Sequence, residues 1–182
     1  MGMVRWALAA GASLSVLASS VVAQGLPPIL TGAPTAAAVS ARCTEMLTRS
    51  AALRKALEAP GKSASALQQF DDLLNVLIGA SGEATLYREV LVDDAARTAA
   101  QDCEVKVGTE FNAVTLSRPI YEKLKALPTP ADKASAFYLQ RMLQAFELSG
   151  VALDADKRVE ARRLADRISE LTTTFQANIP KG

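Results

Sequence analysis

The sequence predicts an all-α protein, an antiparallel helical bundle or a layered helical domain of about five to six helices. Three observations carry that prediction. Apolar residues recur at steps of three and four along most of the chain, the spacing that lines one face of a helix. The composition is 49% hydrophobic but only 5% aromatic, with Ala and Leu dominant, and these residues lose little side-chain freedom in a helix. No strict alternation of apolar and polar residues persists after the first two dozen positions.

The first 23 residues read as an address. "MGMVRWALAAGASLSVLASSVVAQG" opens with one positive charge, Arg5, followed by an apolar, small-residue stretch from Trp6 to about Val22. Val21, Val22 and Ala23 place small residues where a signal peptidase reads, so cleavage is expected after Ala23. The competing reading is an uncleaved membrane anchor. Gly11 and four serines weaken it, because a stable span needs roughly 20 strongly apolar residues. Removing residues 1–23 takes away Arg5 and no acid, so 20 basic residues become 19 against 19 acidic ones. The expected mature chain is exported to the periplasm, electrically balanced and without a stable membrane anchor.

Residues 24–34, "QGLPPILTGAP", hold three prolines and two glycines and predict an extended leader. Residues 35–182 then form the helical domain. Thr35 caps a first helix from about 36 to 59, with Val39, Cys43, Met46, Leu47, Leu53 and Leu57 mostly on one face. "PGKS" at 60–63 ends it and offers Ser63 as the next cap. A second helix carries Leu67, Phe70, Leu74, Leu77 and Ile78, and "GASGE" at 79–83 predicts a break or bend in it. Asp93 and Asp94 start a third helix, since acids suit the positive helix end. Its stripe is Ala96, Ala100, Cys103, Val107, Phe111 and Val114.

Pro119 restarts a short fourth helix, "IYEKLKAL", which "PTP" at 128–130 ends. A fifth helix, about 131–148, carries Phe137, Tyr138, Met142, Leu143 and Phe146 before Gly150. Asp154 caps the last helix, whose stripe is Leu164, Ile168, Leu171 and Phe175.

Composition excludes much chemistry. The chain has no His, which removes imidazole bases, Ser-His-Asp and Cys-His nucleophile pairs and His-ligated zinc. A near-zero net charge without a basic stripe gives nucleic-acid binding no support. Asp71 and Asp72 are adjacent, so on a helix they diverge by about 100° and do not converge on one site. The run Lys157–Arg163 has Glu160 inside it and Asp156 and Asp166 beside it, the mark of a solvated face. Catalytic, cofactor-binding and metal-binding residues are therefore expected to be absent from this chain. Cys43 and Cys103 fall on inward faces of separate helices. In an oxidising compartment an even count permits one disulfide, and two buried thiols fit the same positions equally well.

One stretch resembles a known family. "FYLQRMLQAFELSGVALDADKRVEARRLADRISELTTTFQANI", residues 137–179, looks like the region preceding the catalytic part of the thimet oligopeptidase, neurolysin and oligopeptidase A family of zinc metallopeptidases. The likeness lies in the turn at 148–153, in Arg162, Arg163 and Ile168, and in the close at Leu171, Phe175 and Asn178. "AAQDCEVKVGTEFNAVTLSRPIYEKLKAL" is similar to the Asp-Cys segment of that family, and the resemblance extends over about residues 36–179. It implies the front helical portion of a longer exported enzyme, ending before the missing catalytic domain. That portion would form a wall of the channel that restricts substrates to short peptides. The family's zinc rests on a His-Glu-x-x-His helix and a further Glu, so none of its catalytic residues carries over to a chain without His. Zinc belongs to the full-length parent, and this chain alone is expected to be inactive. The other reading is a complete small exported helical protein that binds a peptide or protein partner without catalysis.

Overall fold

A computed structural model describes residues 28–179, and the expected signal segment with its cleavage after Ala23 lies outside them. The described residues form six helices: α1 Ala36–Glu58, α2 Ala66–Val90, α3 Asp94–Thr115, α4 Arg118–Lys125, α5 Lys133–Ser149 and α6 Ala155–Asn178. No strand occurs among them. The fold class is all-α, a layered helical domain.

Local sequence sets most of the helix ends. The Thr35 hydroxyl accepts from the Ala38 amide and the Asp93 carboxylate from that of Ala96, each satisfying an orphan N–H of the first turn. Asp132 does the same for Ser135, and this bond to its charged form holds its carboxyl below the ordinary range. Gly150 ends α5 in the left-handed region at φ 96°, and the Val151 amide reaches back to the Phe146 carbonyl. The positive φ is what favours glycine there; a Cβ would meet only the movable end of the Leu153 side chain.

α1, α2 and α3 pack on one another as the body of the domain, and α4 and α5 close one end. The main core joins Met46 and Leu57 of α1, Phe70, Leu73, Val76 and Leu77 of α2, Val107 and Val114 of α3, Ile120 and Leu124 of α4, and Phe146 of α5. A smaller cluster at the other end gathers Val39, Tyr87, Leu91, Ala96 and Ala100. Residues 28–34 of the leader are not helical, but Leu30 packs on this cluster and donates its amide to the Tyr87 hydroxyl at 2.8 Å.

Each of the three helix pairs in the body also carries an Arg–Glu clasp. Arg42 on α1 grips Glu83 on α2 with two bonds of 2.9 and 2.6 Å. Arg54 on α1 reaches Glu110 on α3 at 2.8 Å, and Arg88 on α2 reaches Glu104 on α3 at 2.8 Å. The bonds to Glu83 push the Arg42 guanidinium further above its already high range, so it stays charged. The sulfurs of Cys43 on α1 and Cys103 on α3 are bonded, with a Cα–Cα distance of 5.8 Å.

Three expectations need correction. α2 does not break at 79–83; it runs unbroken from Ala66 to Val90. Glycine costs a helix about 1 kcal/mol relative to Ala, but Ala80 and Ala84 lie buried beside the Cys43–Cys103 bridge, where larger side chains would hold the helices apart. The burial of that segment outweighs the propensity cost. Second, the N-cap position of α2 is Ser65, not Ser63, and its side chain makes no capping bond. Third, the buried face of α2 runs through Leu73 and Val76, leaving Ile78 59% exposed. In α5, Phe137 is 64% exposed, while Leu139 and Phe146 are the residues that are buried.

Two buried phenols predict alkaline sensitivity. Burial pushes the Tyr87 and Tyr138 hydroxyls above their usual range, and Tyr138 sits beside the Asp71 carboxylate without a well-formed hydrogen bond. The folded state therefore holds these protons more tightly than the unfolded chain. The stability this contributes is fully present below the unfolded tyrosine value of about 10 and is lost as pH rises through the folded values. Thermal unfolding followed by circular dichroism should show the midpoint falling above about pH 10. Tyr138→Phe should keep the fold and flatten that fall.

Candidate functional site

The sequence-level candidates for chemistry stay apart in space. Asp72 accepts from Gln68 and Asp71 from Asn75, so both are engaged along α2. In the basic run, Lys157 pairs with Asp154, Arg162 with Asp166 and Arg163 with Glu160, and Arg158 donates to the Leu153 carbonyl. Among the described residues, no three His, Cys, Asp or Glu side chains gather as a metal-binding group. The zinc implied by the resemblance needs a His-Glu-x-x-His donor set, and the sequence supplies no His for it. No step of chemistry is assigned to zinc in this chain.

What stands out is α6. Its apolar row, Leu164, Ile168, Leu171 and Phe175, faces solvent, with Ile168 64% and Phe175 69% exposed. None of the four enters either core cluster, and Thr173 is the one buried residue of the helix. α6 instead packs along α3 through a different row. Ala161, Ala165, Ser169, Thr173 and Ala177 recur at every fourth residue and are the small, partly or fully covered positions of the helix. At 100° per residue this row is centred about 130° from the apolar one.

Small side chains let two backbones come close, and α3 meets the row with a glycine. A Cβ on Gly108 would lie 3.1 Å from the Ser169 Cβ, tighter than ordinary contact. One step along α3, Asn112 donates to Asp166 at 2.8 Å and to Ser169 at 3.5 Å. Periodicity singles out the apolar stripe and passes over this row, although Ala-x-x-x-Ala-x-x-x-Ser-x-x-x-Thr-x-x-x-Ala is visible from residue 161 onward.

Contiguous apolar surface of this kind is uncommon on a monomer, which makes the row the candidate contact surface of the domain. The row spans Leu164 to Phe175, 11 steps of about 1.5 Å each on a helix. It has the 4-3-4 spacing with which one helix packs against another.

Two open grooves lie elsewhere. One, of about 490 Å³, runs between the α1–α2 loop and α4, with Pro60, Pro119, Pro128 and Leu127 among its walls and Lys62 and Glu122 at its rim. The other, of about 560 Å³, is polar and lies where Ala177 of α6 meets Arg88, Arg97 and Thr98. No helix of the described residues is long and apolar enough to cross a membrane.

No family model matches this sequence, and no curated protein is significantly similar to it. The class the fold defines is an all-α layered domain with a bridged three-helix body, a closing pair of helices and a sixth helix that turns its apolar side outward.

Proposed function

We propose that this chain is a non-catalytic helical wall of an exported zinc-dependent oligopeptidase, working with a catalytic unit that carries the metal. The observation that carries the reading is the outward apolar row of α6, which gives a second protein surface a place to seat. The resemblance over residues 137–179 supplies the identity of that surface, since the wall segment of such an enzyme adjoins its catalytic part. In this role the domain contributes shape, excluding folded substrates and admitting short peptides, and no catalytic group. The leader pattern and the Cys43–Cys103 bridge support export to the periplasm, where disulfides persist.

The test is recovery of the tagged chain from its own cells, with the material assayed on a short quenched-fluorescent peptide. The reading expects a polypeptide with a His-Glu-x-x-His sequence, continuous with the chain or bound to it, and cleavage that a chelator abolishes. Ile168→Glu with Leu171→Glu should remove a bound unit while leaving the fold intact, because both side chains are exposed. Turnover by the purified chain alone, or recovery without any such polypeptide, would sink the reading.

A second reading is a peptide- or protein-binding protein without catalysis, and the groove of about 490 Å³ beside α4 favours it. That volume lies within the range of small-ligand sites. Titration with labelled peptides, compared between the native chain and Lys62→Glu at an exposed position of the same groove, separates this reading from the first.

A further inference from the structure

α6 is held differently from every other helix in the body. α1, α2 and α3 share a core, a disulfide and three Arg–Glu clasps, whereas α6 places no apolar side chain in either core cluster. Its mooring is the row of small residues on α3, the close approach at Gly108 and the bonds from Asn112. Undocking would uncover Thr173 and small side chains, and no large apolar group of α6 would lose its burial.

The connection before α6 is suited to a pivot. Val151 is fully buried, and its carbonyl accepts from Arg118, so the chain is fixed up to that residue. Ala152, Leu153 and Asp154 are exposed, and Asp154 makes no side-chain capping bond. α6 also carries its own supports. Glu160 pairs with Arg163, Arg162 with Asp166 and Arg167 with Glu170, all at helical spacing. At 24 residues it exceeds the length below which isolated helices are marginal, about 12–15 residues.

We infer that α6 is a hinged arm: it leaves α3 as an intact helix, pivoting at residues 152–154, while α1–α5 stay folded. Local openings of this kind belong to elements with few buried apolar contacts. The inference holds whatever covers the apolar row, since it depends only on how the opposite side is moored.

Spin labels at Thr98→Cys and Gln176→Cys read the motion directly. Both positions are exposed and flank the groove where Thr98 meets Ala177. The native cysteines are already bonded and leave the labels specific. The expected distance distribution has a short component and a second, longer one. Gly108→Leu, which drives a side chain into Ser169, and Asn112→Ala, which removes the polar tie, should each raise the longer component at least twofold. Far-UV circular dichroism and the melting midpoint of the body should stay unchanged. A single short distance in all three proteins overturns the inference. So does undocking accompanied by loss of helix, or by a fall in the midpoint of the whole domain.

Discussion

Replacing Cys43 and Cys103 together by Ala should lower the stability of this domain more than any change at its surface. The bridge closes a loop with a sequence separation of 60 residues. By the loop-entropy argument such a closure is worth about 4 kcal/mol, acting chiefly on the unfolded chain. For a domain of this size that corresponds to a fall in melting midpoint of roughly 10 °C. The bridge also ties α1 to α3 where α2 offers Ala80 and Ala84, so its loss leaves a thin layer of small side chains between two helices. Both sulfurs are buried, so a reductant added at room temperature should act slowly and much faster on warming. Thermal scans with and without reductant, beside the double variant, check this. A double variant that melts within about 2 °C of the parent would show that the bridge contributes little, given the 2–4 °C expected per kcal/mol.

Phe146→Ala should have an effect of similar size but a different distribution. Phe146 is fully buried, with its ring 5.5 Å from that of Phe70 on α2 and 6.0 Å from that of Tyr121 on α4. It is the junction at which α5 meets the body. Truncating a buried Phe costs about 3–5 kcal/mol through lost transfer and the cavity left behind. Leu139 is the other fully buried residue of α5, and Met142 and Leu143 pack partly covered against the core, so these three are what hold the helix once the ring is gone. Chemical denaturation should report the loss. Hydrogen exchange should show amides of α5 opening before those of α2 and α3. Phe137→Ala on the same helix is the control: its ring is largely exposed, and the cost should stay within about 0.5 kcal/mol. Equal costs for the two phenylalanines would mean that α5 is seated on another face.

Much of this architecture was legible in the chain itself. The number and class of the helices follow from apolar spacing. Two starts follow from Thr35 and Asp93, each a short acceptor placed one residue before a helical run. Gly150 marks the end of α5 because only glycine enters the left-handed region without strain. These are local decisions, made by a side chain and the backbone within four residues of it.

The errors share one cause. α2 was expected to yield at its glycines, and what holds it is Ala80 and Ala84 lying against a bridge formed by two other helices. In α6 the stripe Leu164, Ile168, Leu171 and Phe175 is what periodicity marks, while the small row that the helix covers against α3 carries no apolar signal at all. Helical periodicity shows that a face is apolar, but it does not say which surface, if any, that face meets. That choice belongs to tertiary structure. Gly108 lets a backbone come close where Ser169 arrives, and Asn112 stands ready for Asp166, although 54 residues separate that pair in sequence. By itself the sequence determined an all-helical chain of five to six helices and where several of them begin; the packing of α3 decided which row of the last helix is covered.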